Sequence, residues 1–190
     1  MQKNHRNYLS IAAVICLTSL PFGASLTRAT VVPITPIQDS GIQLSTWTTP
    51  PHTPQLIAGV QRTYSLQLLS LINAERQKVG APPLRINLKL TQAALRQSQD
   101  MAIHNFFSHT GSNGSKFSDR ISAAGYNWSA AAENIAAGQS TPTAVFQSWL
   151  NSPPHKENML NAQYTEVGFG YAYNSQSTYQ TYWTADFAKP

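Results

Sequence analysis

The chain has 190 residues, 42% of them hydrophobic and only 11% charged, so each histidine or glutamate in a distinctive string carries information. Its formal charge of +5 rests partly on Lys3, Arg6 and Arg28; without them 10 basic residues face 8 acidic ones, with no basic run. That scatter excludes the concentrated positive surface of a nucleic-acid-binding protein.

Lys3 and Arg6 precede an apolar run from Tyr8 to Phe22, followed by small residues around Gly23-Ala24-Ser25 and Thr27-Arg28-Ala29. A basic start, an apolar stretch and small residues at the end predict a secretory signal peptide over 1–29, cut after Ser25 or Ala29. Thr18, Ser19 and Pro21 interrupt the run, and a spanning helix needs roughly 20 apolar residues. An uncleaved anchor is the alternative. Cys16 is the only cysteine and lies inside this leader, behind an Ile15 too bulky for the usual bacterial lipoprotein site. The processed protein is therefore expected to be free of disulfides, exported to the bacterial envelope or beyond, and not integral to the membrane.

Residues 30–60 mix Pro33, Pro36, Pro50, Pro51 and Pro54 with Thr, Ser and Gln, which predicts an extended linker. Val31, Ile34, Ile37, Leu44 and Trp47 are apolar exceptions within it. The domain is expected over 61–190, long enough to bury one core. Tyr64 to Val79 reads as a helix with Leu68, Leu69, Ile72 and Val79 on one side, stopped by Gly80 and Pro82-Pro83. Leu84 to Ile86 is a short extended piece. Leu88 to about His104 reads as a second helix, and Phe117 to Ala124 as a short third one closed by Gly125. Thr141-Pro142 has the form of an N-cap with proline at the first helical position, opening a fourth helix that ends before Pro153. Asn158-Met159-Leu160 reads as a turn.

From there the period changes to two. Val167, Phe169, Tyr171 and Tyr173 alternate with Glu166, Gly168, Gly170 and Ala172; Tyr179 to Phe187 alternates likewise. These are strands, joined across Asn174 to Ser177 as a hairpin, with another strand expected within Tyr126–Ile135. Helices early and strands late indicate an α+β fold.

Four residues are candidates for chemistry. His109 follows Phe106-Phe107-Ser108, at the rim of a loop where functional groups concentrate; a plain loop histidine is the alternative. Glu133 stands among Ala130-Ala131-Ala132 and Asn134-Ile135-Ala136. A carboxylate there is costly to bury without a cation, metal or donor; exposure on an edge strand is the alternative. His155 follows Pro153-Pro154. Its His-x-Glu spelling matches zinc deaminases, but their second, cysteine-bearing segment is absent, which rejects that reading. No metalloprotease helix motif, serine-hydrolase elbow or phosphate loop is present. Glu166 begins a strand face of glycines, which leaves room for a close approach.

The strings around these residues resemble the CAP superfamily of cysteine-rich secretory, venom-antigen and pathogenesis-related proteins, specifically its bacterial secreted (SCP-like) branch. The resemblance runs through Leu71-Ile72-Asn73-Ala74-Glu75-Arg76, Pro83-Leu84-Arg85, Phe107-Ser108-His109-Thr110, Arg120 to Tyr126, Glu133-Asn134-Ile135-Ala136, Trp149 to Leu160 and Glu166-Val167-Gly168-Phe169-Gly170, in family order. It implies a three-layer α-β-α sandwich with a mainly antiparallel central sheet and a cleft holding two histidines with acidic partners. His109 and His155 match the cleft histidines, as metal ligands, and Glu133 matches the first acid. Where many relatives carry a second Glu this chain has Ser152, so Glu166 is the replacement candidate, with Glu157 behind it. Pro154 and Lys156 stand where relatives often carry Gly and Arg.

Two imidazoles and one or two carboxylates suit a divalent metal, zinc foremost. The expected function is a secreted module whose His/Glu cleft binds such a metal, a small ligand (lipid, glycan or peptide), or both. The alternative is a metal-assisted hydrolase of peptides or envelope polymers, with Glu133 and Glu166 catalytic. A third reading makes the cluster purely structural. The partner is expected to be an extracellular or envelope ligand, and the protein monomeric.

Overall fold

Helix α1 spans Pro54–Lys78, starting ten residues before the expected Tyr64. Proline suits a first helical position, because its φ is already helical and its missing N–H has no partner there anyway. The computed structural model describes the backbone of residues 54–190 and the side chains of 58–190. The signal-peptide reading, and the linker reading as far as residue 53, fall outside the described residues.

The remaining elements are β1 (Arg85–Ile86), α2 (Leu88–His104), α3 (Phe117–Ala123), β2 (Ala130–Ala137), α4 (Pro142–Leu150), α5 (Pro153–Leu160), β3 (Glu166–Tyr173) and β4 (Thr181–Lys189). Asn87 starts α2 by accepting from the backbone N–H of Lys89 and Leu90, and Thr141 does the same for α4 through Ala144. The segment expected as a turn at Asn158–Leu160 is the end of helix α5. Two prolines in its first turn remove only donors that would be orphaned there in any case. The hairpin loop runs from Asn174 to Gln180, longer than expected, with Gln180 in the left-handed region at φ 61°.

The sheet order is β1-β3-β4-β2, with β1 parallel to β3 and the other pairs antiparallel. Period two sorts its side chains onto two faces. Val167, Phe169, Trp183, Ala185, Phe187 and Ala132 meet Leu68 and Ile72 of α1, Trp149 of α4 and Met159 of α5. Ala188, Tyr182 and Ile135 turn the other way, onto α2 and α3. The result is the α-β-α sandwich.

The glycines of β3 explain how closely α2 lies on the sheet. A Cβ at Gly168 would sit 2.0 Å from Leu90 C and Thr91 N, and one at Gly170 2.2 Å from Ala94 O. The group that approaches this face is the backbone of α2 itself.

Because β1 is two residues long, β3 runs on beyond it with an uncovered outer edge. Gln61 of α1 meets that edge: its Nε2 donates to Phe169 O at 2.5 Å and its Oε1 accepts from Tyr171 N at 2.9 Å. One side-chain amide thus takes the place of a neighbouring strand.

Arg76 is wholly buried near the end of α1 and donates to the carbonyls of Pro82, Met159, Asn161 and Tyr164 at 2.7–2.9 Å. Its charge satisfies carbonyls at the C-terminal end of α5, the negative end of that helix. It thereby anchors the helix that carries His155.

Candidate functional site

Helix α2 ends on Asn105 in the left-handed conformation (φ 54°), which turns the chain back across the domain. Gln97 and Arg120 then hold the returning loop. Gln97 Nε2 donates to Ser108 O at 2.6 Å, and Arg120 donates to His109 O at 3.1 Å and Ser115 O at 2.9 Å. With its backbone pinned, His109 presents Nδ1 to Glu133 Oε1 at 2.8 Å. The imidazole is about half exposed (52%), whereas the Glu133 side chain is fully enclosed.

Glu133 is not exposed on its edge strand. Arg120, buried beside it, donates from Nη2 to Glu133 Oε2 at 2.7 Å. This is the cation a buried carboxylate requires. Both oxygens of Glu133 are therefore engaged. A carboxylate only accepts, so the His109 Nδ1 carries the proton in this contact.

Asp186 of β4 lies directly opposite Glu133 in the sheet register. It is fully buried, and its carboxyl can pair with the neighbouring Glu133 only as a proton donor. Burial first, and the charge of Glu133 second, push its pKa well above the usual carboxylate range, with Arg120 pulling the other way. The protonated form of Asp186 is thus favoured beside Glu133.

His155 is the third residue of α5. Asn134, next to Glu133, points to the opposite face of β2. There its Nδ2 donates to His155 O at 2.9 Å, while its Oδ1 accepts from Asn158 at 2.9 Å. Consecutive residues of one edge strand thus hold the two histidines from the two sides of the sheet. The imidazoles are near enough to feel each other. The pKa of His155 lies below the ordinary histidine value, through burial first and the neighbouring His109 second.

The structure does not bring Glu166 to this cluster. Its carboxylate accepts from Tyr126 Oη at 2.6 Å and from Asn87 Nδ2 at 3.2 and 3.3 Å, two strands away from Glu133. There it ties the start of α2 to the loop after α3, and, after burial, it is what raises the Tyr126 pKa. Glu157 is exposed, and its charge bears on Tyr164. Arg120, Asn134 and Asp186 are the members that sequence reasoning left without a role. Asp186 had a signal: it is a carboxylate on a strand face shared with Tyr182 and Thr184.

Among the described residues no three His, Cys, Asp or Glu side chains come together as a metal-holding group. A three-ligand catalytic zinc site of the usual kind is therefore not formed by these residues. At the opposite edge of the sheet, α1, α2 and the end of β3 enclose an apolar groove of about 1340 Å³, which exposes Leu66, Leu88, Ile103 and Tyr173. None of His109, Glu133 and His155 lines it.

Residues 69–187, which include every member of this cluster, match the family model described as the cysteine-rich secretory protein family, CAP. The chain belongs to the CAP family. The CAP domain is 40% identical over 125 residues to YkwD of Bacillus subtilis, a match covering 65% of this chain and 46% of YkwD. It is 33% identical over 111 residues to the membrane protein YlbC of the same organism, covering 58% of this chain and 32% of YlbC. Among solved structures, an extracellular SCP-domain protein of Bacillus anthracis superposes with a TM-score of 0.65 at 30% identity, over 75% of this chain and 45% of that one. An outer surface protein of Borrelia burgdorferi superposes with a TM-score of 0.58 at 25% identity, over 64% of this chain and 89% of that one. The chain spans less than half the length of the Bacillus proteins it matches. Among the described residues no helix is long and apolar enough to cross a membrane.

Proposed function

We propose that this CAP domain works outside the cytoplasm as a binding module, and that the His109/His155 pair at the β2 edge is its recognition centre. The observation that carries this reading is the double engagement of Glu133, by His109 at 2.8 Å and by Arg120 at 2.7 Å. A general base needs a free lone pair aimed at the proton it takes. The Glu133 side chain is fully enclosed, out of reach of a substrate proton, so what it supplies is a fixed, half-exposed imidazole. Glu166, the other acid proposed for catalysis, is committed to Tyr126 and Asn87. A fixed imidazole beside a second, neutral one suits capture of a divalent cation of the zinc type, or of a ligand that donates a hydrogen bond. Two protein nitrogens make a weak metal site, so a bound ion would share its remaining positions with water or the ligand. Export is supported by the leader composition and by the extracellular and surface relatives.

Calorimetry with zinc on the wild type and on His109→Ala/His155→Ala tests the centre. Heat is expected only from the wild type, and it should fade below about pH 6 as imidazoles protonate. Equal heats from the two proteins would remove the metal reading. Incubation with envelope polymer and a peptide library, with and without zinc, tests the module against the hydrolase. Metal-dependent turnover that disappears in Glu133→Gln would replace the binding reading with the enzymatic one.

A further inference from the structure

Two phenylalanines follow the left-handed end of α2, and they part company. Phe106 packs inward on the cluster of Met101, Ala102, Ile135 and Tyr182. Phe107 stays at the surface and meets Tyr179 of the loop between β3 and β4, with ring centroids 6.0 Å apart and planes tilted by 59°. Each of the two is 46% exposed. Single exposed rings are ordinary, but two in contact and fixed in place make a stacking surface.

The pair is held from several sides. Asn105 Oδ1 accepts from Thr178 N at 2.7 Å, which ties the β3–β4 loop to the end of α2, and Asn174 Nδ2 donates to Ala102 O at 2.8 Å. Tyr179 stands edge-on to the buried Tyr182, centroids 6.1 Å apart. Gln97 fixes Ser108 O, the neighbour of Phe107, at 2.6 Å. Gly138, past the end of β2, closes the group: a Cβ there would lie 3.9 Å from Tyr179 Cδ1. A ligand meets rings already in position, so binding costs little in ordering them.

The loops that meet here, 105–111, 138–141 and 174–180, contain no Asp, Glu, Lys or Arg. Their exposed side chains include Ser140, Thr178 and Gln180, neutral groups that both donate and accept. A phosphate, a sulfate or an anionic headgroup finds no countercharge in these loops. An extended peptide finds no ladder beside Tyr179, because the backbone there is engaged. Thr178 N is bound to Asn105, Tyr179 O accepts from Thr181 N, Gln180 N donates to Ser177 O, and Gln180 O accepts from Asn174 N. What remains is aromatic faces bordered by hydroxyls and amides. That combination suits a pyranose with equatorial hydroxyls, which lays its C–H face on a ring while its rim hydroxyls take neutral hydrogen bonds.

We propose that Phe107 and Tyr179 form a stacking platform for a neutral glycan built of equatorial pyranoses, of the glucose or N-acetylglucosamine type. The platform needs no metal and does not depend on the role proposed for the histidine pair.

The test titrates the full chain, labelled with nitrogen-15 and kept in EDTA, with cellohexaose, chitohexaose and a decaproline peptide. EDTA separates the result from any metal held by the histidines. Either sugar should shift the backbone amides of Phe107, Ser108, Tyr179 and Gln180 saturably, with a Kd on the order of 0.1–1 mM. Phe107→Ala and Tyr179→Ala should each weaken binding by about tenfold, with dispersed amide spectra showing that both are folded. Tyr179→Phe keeps the ring and should bind within about twofold of the wild type. Spectra that neither sugar changes at about 10 mM would overturn the proposal. So would alanine variants that bind like the wild type, or a loss in Tyr179→Phe as large as in Tyr179→Ala. Decaproline binding more tightly than the sugars would replace the glycan with a peptide.

Discussion

Replacing Arg120 with methionine removes the cation from the buried cluster while keeping most of its packing volume. Three hydrogen bonds disappear, to Ser115 O, His109 O and Glu133 Oε2. The larger effect is electrostatic. The Glu133 side chain is fully enclosed and has Asp186 opposite it in the next strand. Stripping one partner from a buried pair costs about 3–5 kcal/mol, because the other charge stays behind uncompensated. For a domain of this size that lowers the melting temperature by roughly 10–20 °C. Urea unfolding followed by the fluorescence of the buried Trp149 and Trp183 would measure it. The double variant Arg120→Met/Glu133→Gln removes the abandoned charge and should recover about 2 kcal/mol or more of the loss. A single variant that loses under about 1 kcal/mol, or a double variant no more stable than the single, would refute the argument that Arg120 is there to compensate Glu133.

Other perturbations follow the same geometry. Gly168→Ala puts a methyl group 2.0 Å from the α2 backbone, which cannot swing aside as a side chain can; the cost should exceed the 1–3 kcal/mol typical of overpacking and show as a lowered urea midpoint. Asp186 has a raised folded pKa, so it adds stability at low pH and loses it as pH climbs from the ordinary carboxylate range through the folded value. Asp186→Asn, which mimics the neutral acid, should therefore be more stable than the wild type at pH 7 and flatten that part of the profile in urea midpoints taken across pH. His155 has a lowered folded pKa, so its contribution is complete above about pH 6.5 and is lost as pH falls toward the folded value. His155→Gln should abolish that acid-side decline, and proton NMR titration should place the wild-type imidazole below the usual range.

Much of the fold was legible in the chain because its signals were local. Asn87, Thr141-Pro142 and the switch to period two near Glu166 each announce an element without help from distant residues, and the helices at Leu88–His104 and Phe117–Ala123 lie where they were expected. The misjudged pieces depended on partners. Pro153-Pro154 looks like a break, yet it opens a helix that Arg76 and Asn134 hold in place from outside. The site divides the same way. His109, Glu133 and His155 stood out through their neighbours in sequence; the structure pairs His109 with Glu133 and sets the His155 backbone against Asn134. Glu166 shares the strand-face character expected of a site residue, but sheet order sets it two strands away. Arg120 and Asp186 acquire their roles only through register and burial, which no local string encodes.

Gln61 bears on how the protein would fail. An open strand edge invites pairing with any passing strand, and proteins guard such edges with whatever is at hand. Here the guard is one amide on a helix, beside the exposed apolar side chains of Leu66, Leu88, Ile103 and Tyr173. Any change that lifts the first turns of that helix would bare both a hydrogen-bonding template and a greasy flank at once. The expected consequence is aggregation well before the sandwich itself unfolds.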